Sequence, residues 1–173
     1  MRSTIAWKRE LPNNSGLNPG RMTDIDAPAT ASALPEVRTL FDKGGLRISD
    51  VAGPHHDAPA VVYRIDHAGK NITFSVGIDA SGLPGLRRIA QGTSLLVFNS
   101  IVLDLPGSPN VLHNLHTPPK AIGDVADAVR ADQLLLSHLS PALDAKRDAV
   151  KASIAANYGG VVMFAQDVLR LAP

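Results

Sequence analysis

From about residue 60 onward, apolar residues come in short unbroken runs separated by segments whose apolar positions recur every three or four residues. Ile72–Ser75, Leu95–Phe98, Gln133–Ser137 and Val161–Ala165 are runs of the length and aliphatic character of buried strands. Between them, Leu83, Leu86, Ile89 and Ala90 mark one face of a helix that Gly92 stops. Ile122, Val125 and Val129 mark a second helix, with Thr117 as its expected N-cap and Pro118 suited to its first turn. Leu143, Val150 and Ile154 mark a third, started by Ser140-Pro141 and ended by Asn157-Tyr158-Gly159-Gly160. Leu46–Val51 and Ala60–Ile65 read as earlier strands. Gly44-Gly45 precedes the first, and the turn Ala68-Gly69-Lys70-Asn71 follows the second. Strand–helix alternation of this kind predicts an α/β fold, a layered sheet with covering helices that is largely parallel in its second half.

Residues 1–35 have no such period. Pro, Gly, Asn, Ala and Thr dominate from residue 11, so the expected organisation is an irregular N-terminal segment, 1–35, before a single α/β domain, 36–173. A chain of 173 residues is long enough to bury a sizeable core. The core is aliphatic, since aromatic residues make up only 4% of the chain.

Charge narrows the partners. Seventeen basic and sixteen acidic residues leave a net charge of +1, and no block of Lys and Arg stands out. No nucleic-acid partner is expected from this distribution. No run approaches the ~20 apolar residues of a membrane span, and Met1–Leu11 lacks the apolar core of a signal peptide. The expected location is therefore cytoplasmic. With no cysteine, a metal would have to be held by His, Asp or Glu.

The polar side chains able to do chemistry collect where strands end. His138 terminates the leucine run Leu134–Leu136, Asp79 follows Asn71–Ser75, and a long loop after Asn99 carries His113 and His116. In open α/β sheets, ligands bind outside the carboxyl ends of the strands. Each residue has a plainer reading beside that one. His138 could bond a backbone carbonyl, Asp79 could cap the helix near Ser81, and His116 could pack on Pro118 and Pro119. His55 and His56 precede the strand at Ala60, His67 sits in a turn, and Asp167 reads as structural.

Four segments in this order resemble the C-terminal half of a metallo-β-lactamase superfamily hydrolase, in the branch of the tRNA 3′-end ribonucleases and arylsulfatase-like enzymes. They are Pro54-His55 before Ala60–Ile65, Ile72–Asp79, Leu115-His116-Thr117-Pro118 and Leu136-Ser137-His138. Tyr158-Gly159-Gly160 and Ala165-Gln166-Asp167 are similar to the family's ending. The resemblance implies half of an αββα sandwich and a metal-dependent hydrolase using zinc on a small-molecule or ester substrate. His55, Asp79 and His138 would be metal ligands, and His116 would give a proton to the leaving group. The family's H-x-H-x-D-H motif is absent, and its Gly-Asp pair falls on Val76-Gly77. A truncated or degenerate hydrolase is therefore expected, with a non-catalytic scaffold or interaction domain as the alternative. A half sandwich would leave one apolar sheet face uncovered, so self-association into a homo-oligomer is also expected.

Overall fold

The structure, a computed structural model, describes residues 35–56 and 58–173. The irregular segment expected at 1–35 lies, except for Pro35, outside the described residues. Seven strands form one sheet in chain order: β1 Arg38–Lys43, β2 Leu46–Ala52, β3 Val61–His67, β4 Lys70–Phe74, β5 Leu95–Asn99, β6 Gln133–Ser137 and β7 Val161–Phe164. β1 to β4 form an antiparallel meander, and β4 to β7 are parallel. This is the expected α/β sheet with a parallel second half.

The helices are α1 Leu83–Ile89, α2 Asn110–His113, α3 Pro119–Ala128, α4 Pro141–Asp144 and α5 Arg147–Ala155. Parallel neighbours need a crossover, and crossovers are right-handed. Three such crossovers stepping the same way across a sheet place their helices on one face. The packing agrees: α3 contacts both α1 and α5, and α1 also packs on β2 and β3. Leu96, Phe98, Leu134, Leu136 and Phe164 alternate onto the helix side and are buried there with Ile122, Val125, Val150 and Ile154. Gly123 lets α3 approach α5 closely, since a Cβ at that position would lie 2.7 Å from the carbonyl oxygen of Ile154.

The other face carries two apolar rows in register. Ile48, Ile65, Ile72 and Leu95 form one. Tyr63, Phe74, Val97, Leu135 and Met163 form the other. Every residue of the second row keeps solvent exposure, whereas their helix-side neighbours Leu96, Leu134 and Leu136 have none. Pro173 reaches this face and lines an apolar cavity of about 300 Å³ with Ile65, Ile72 and the turn at His67–Lys70.

Three local expectations need correction. β1 was not foreseen, because its sequence RTLFDK is exposed at nearly every position and has no clear alternation. Thr117 does not cap α3. Its hydroxyl donates to the Ile78 carbonyl at 3.1 Å, Pro118 holds the cap position, and Asp104 Oδ1 accepts from the Lys120 N–H at 3.0 Å instead. The third expected helix is two, α4 and α5, separated at Lys146, whose φ of −126° is not helical. Ser140 does cap α4, accepting from the Leu143 N–H. Among the described residues no helix is long and apolar enough to cross a membrane.

Gly123→Ala should destabilise the fold, although alanine is the better helix former by about 1 kcal/mol. The added methyl meets backbone, which cannot rotate aside. A urea midpoint equal to or above wild type would contradict this packing. Leu136→Ala, at a side chain with no exposed surface, should cost about 2–5 kcal/mol in the same measurement.

Candidate functional site

The carboxyl ends of β4, β5 and β6 lie side by side, and the chain leaves each in an unusual way. Ser75 continues the ladder, its N–H donating to Val97 O at 2.9 Å. Its hydroxyl donates to Val76 O at 2.9 Å and accepts from the Asn99 N–H at 3.1 Å. Val76 then turns into the left-handed region at φ 52°, a costly conformation for a β-branched residue. His138, directly after β6, has φ 53°, and His56 has φ 54°. Left-handed non-glycine residues thus gather at this edge.

Gly77 follows Val76 and makes room for a histidine. A Cβ there would lie 2.9 Å from Cδ2 and 3.2 Å from Nε2 of His55, and 3.5 Å from Nδ2 of Asn99. The His55 ring therefore lies against bare backbone. His55 itself is held in a narrow loop, pairing with Ala58 through N–H···O bonds of 3.3 and 3.1 Å.

His116 meets His55 edge to face, with ring centroids 5.1 Å apart and planes at 63°. Its own N–H bonds Leu112 O at 3.0 Å, and the Thr117 hydroxyl ties its loop to the segment before Asp79. Burial lowers the His116 pKa below the ordinary 6.5, and the charges of His55 and His138 lower it further. The three imidazoles thus share one electrostatic neighbourhood, which favours the neutral form of His116.

Asp79 is a latch. One carboxylate oxygen accepts from the His56 N–H at 2.7 Å, and the other accepts from the Ser81 N–H at 2.7 Å and the Ser81 hydroxyl at 2.5 Å. Its own N–H donates to Pro54 O at 3.1 Å. Burial alone would raise its pKa, but the bonds from Ser81, His56 and Gly82 outweigh that and lower it. Asp79 caps the 3-10 turn at Ala80–Gly82, as the plainer reading had it, and clasps the loop that carries His55.

The expected residues thus divide into the three histidines and a carboxylate beside them. The sequence reading did not single out Asn99, which borders Gly77 beside the His55 ring, or foresee that Gly77 makes room for that ring. His113 lines a cavity of about 440 Å³ with His56, Asp79, Ser81 and Asn114, and its Nε2 is buried without a partner. A polar residue ending an apolar strand was the available signal for Asn99, which is in register with Ser137.

Comparison with solved structures finds the same architecture. The metallo-β-lactamase fold protein YhfI from Bacillus subtilis superposes with a TM-score of 0.59 at 16% identity, over 75% of this chain and 50% of its own. The short form of human tRNase Z gives 0.56 at 17% identity, over 77% and 45%. The chain has the metallo-β-lactamase fold. A diphosphatase of the PhnP family gives 0.53 at 15% identity, over 76% and 45%. The chain therefore spans about half the length of these metallo-β-lactamase fold proteins. No family model matches the sequence, and the curated proteins contain no sequence match.

The metallo-β-lactamase fold implies a metal, and the donor set can be tested against one. Both Asp79 oxygens are already committed to three donors. Among the described residues, no three His, Cys, Asp or Glu side chains stand together as a group that could hold a metal ion. The residues as arranged do not fit a complete metal centre.

Burial of neutral His116 links stability to pH. Its pKa is lowered in the folded state, so the unfolded chain binds the proton more tightly. Stability should be fully present above pH 6.5 and fall as the pH drops below it. His116→Asn should flatten that slope in urea titrations between pH 7 and 5; an unchanged slope would contradict the burial of this ring.

Proposed function

We propose that this chain is one half of a metallo-β-lactamase-type hydrolase, contributing a histidine-lined wall to a site that a second copy completes. The observation that carries the reading is the approach of His55 and His116 at the carboxyl edge of the sheet, with His138 close enough to act on His116. Burial favours the neutral imidazole of His116, so His116 would take the proton of an attacking water and then give it to the leaving group, the role the family resemblance implies. A small ester or phosphoester is the substrate class. His138 and His55 line the wall, and Asp79 holds the loop of His55 in place.

The second copy is argued from the open face. Seven strands about 4.8 Å apart and five residues long give a flat footprint of roughly 500 Å², before side-chain relief is counted. That approaches the about 800 Å² per partner of a stable complex. Two copies stacked by this face would bury the row Tyr63, Phe74, Val97, Leu135 and Met163 and keep their helices outside. A net charge of +1 offers little repulsion.

A second reading, a non-catalytic scaffold with this fold, is favoured by the engagement of Asp79 in capping. Two measurements separate them. Hydrolysis of a nitrophenyl ester and a nitrophenyl phosphodiester should be slow in wild type and fall tenfold or more in His116→Asn. Zinc titration should then be compared with His138→Ala: equal and negligible heats together with unchanged hydrolysis would leave the scaffold. For the second copy, sedimentation should give a dimer that Leu135→Glu dissociates without unfolding. A wild-type monomer at high micromolar concentration would remove the dimer.

A further inference from the structure

On the helix side of the sheet, charged side chains gather at one place. On β2 and β3, Arg47 stands opposite Asp66 and Ser49 opposite Arg64, all on the face that elsewhere carries Val51 and Val62 into the core. α1 ends above this square and adds Arg88 and Ile89, and Val37 closes the side. Together they line an open cavity of about 610 Å³, within the range of small-molecule sites. The cavity lies at the end of the sheet away from His55, His116 and His138. β3 runs antiparallel to β4, so Asp66 is at the opposite end from His55, and α1 returns from the histidine edge before reaching Arg88.

The charges in the cavity are not equivalent. Arg64 is fixed: its Nε bonds both Asp66 oxygens at 3.0 and 3.1 Å, its Nη2 lies 2.9 Å from Asp66, and its Nη1 donates to Ile89 O and Gln91 O at 3.1 and 2.7 Å. That pair cancels its own charge and holds the end of α1. Arg88 spends one N–H on Pro35 O at 3.1 Å. Arg47 spends one on the Thr39 hydroxyl at 2.9 Å, with Asp42 only at 4.0 Å. A guanidinium has five N–H donors, so both keep most of theirs. Ser49 is 5% exposed and borders the same cavity.

We propose that this cavity binds a small phosphorylated molecule, with Arg47 and Arg88 as the two prongs, the Ser49 hydroxyl as a third donor and the Arg64–Asp66 pair as a rigid floor. Two guanidiniums from different elements, each with donors left over and facing one groove, match the several charged oxygens of a phosphate ester. A carboxylate ligand would use one prong, whereas a diphosphate spans both. The site is separate from the histidine edge, so it stands or falls independently of the hydrolase reading.

Calorimetric titration with inorganic pyrophosphate and with ATP, at fixed ionic strength and with sulfate as the competing anion, tests it. Saturable binding that sulfate does not match is expected. Arg47→Ala and Arg88→Gln should each weaken it tenfold or more, while Arg147→Ala, whose guanidinium pairs with Asp144 on the surface, should leave it unchanged. The urea midpoint of each variant shows whether it is folded, and Arg88→Gln, which bonds only the Pro35 carbonyl, provides the reading if Arg47→Ala is not. Absence of saturable binding, equal binding of sulfate, or full binding by a folded Arg88→Gln variant would overturn the proposal. Binding of a single-stranded oligonucleotide but of neither small phosphate would overturn it too.

Discussion

Everything in this molecule follows from the one-sidedness of its sheet. The strand order repeats the chain order, so each right-handed crossover after β4 delivers its helix to the same face. That face obtains a dense aliphatic core, closed where Gly123 lets α3 settle onto α5. Among the described residues the other face receives no helix, and its apolar rows remain partly in solvent. The same geometry fixes where function can sit. Beyond that core, polar groups gather at the strand ends and where α1 ends over β2 and β3, and His55, His116 and His138 lie at the carboxyl edge.

The histidine edge is built by constraint more than by attraction. Val76, His56 and His138 occupy left-handed conformations, each costing on the order of 1–3 kcal/mol. Such conformations persist only where surrounding bonds over-determine them. Here Ser75 binds the Asn99 backbone, Thr117 binds Ile78, and Asp79 binds His56 and Ser81. The carboxylate that a metal enzyme would place on its metal is spent on holding the scaffold. A metallo-β-lactamase fold can therefore persist here although its donor set is not assembled within the described residues.

Much of this was legible in the sequence because the relevant signals are local. Short apolar runs marked β4 to β7, and Ser140-Pro141 marked the start of α4 by a cap that reads within four residues. Asp79 was legible in both of its readings, and the structure shows the capping one. What could not be read depends on groups far apart in the chain. The cap of α3 comes from Asp104 and not from the adjacent Thr117, because Ile78, thirty-nine residues earlier, claims the Thr117 hydroxyl. Gly77 looked like half of a damaged motif. Its meaning, a place for the His55 ring, exists only once the β2–β3 loop is folded against β4. β1 stayed hidden because an exposed edge strand has no face to bury and hence no period to show.

The identity of strand order and chain order also bears on how the molecule reaches its native state. Every strand pairs only with its neighbours in sequence, so no pairing waits for a distant segment to be found. The hairpins of the meander close short loops, which costs little chain entropy. Each later strand can then add to an existing edge once its own crossover helix has formed. Low sequence separation between partners is the condition under which mixed α/β domains fold quickly. The sheet can thus grow outward from β2–β4 by single additions, with β7 the last strand to join at the parallel edge.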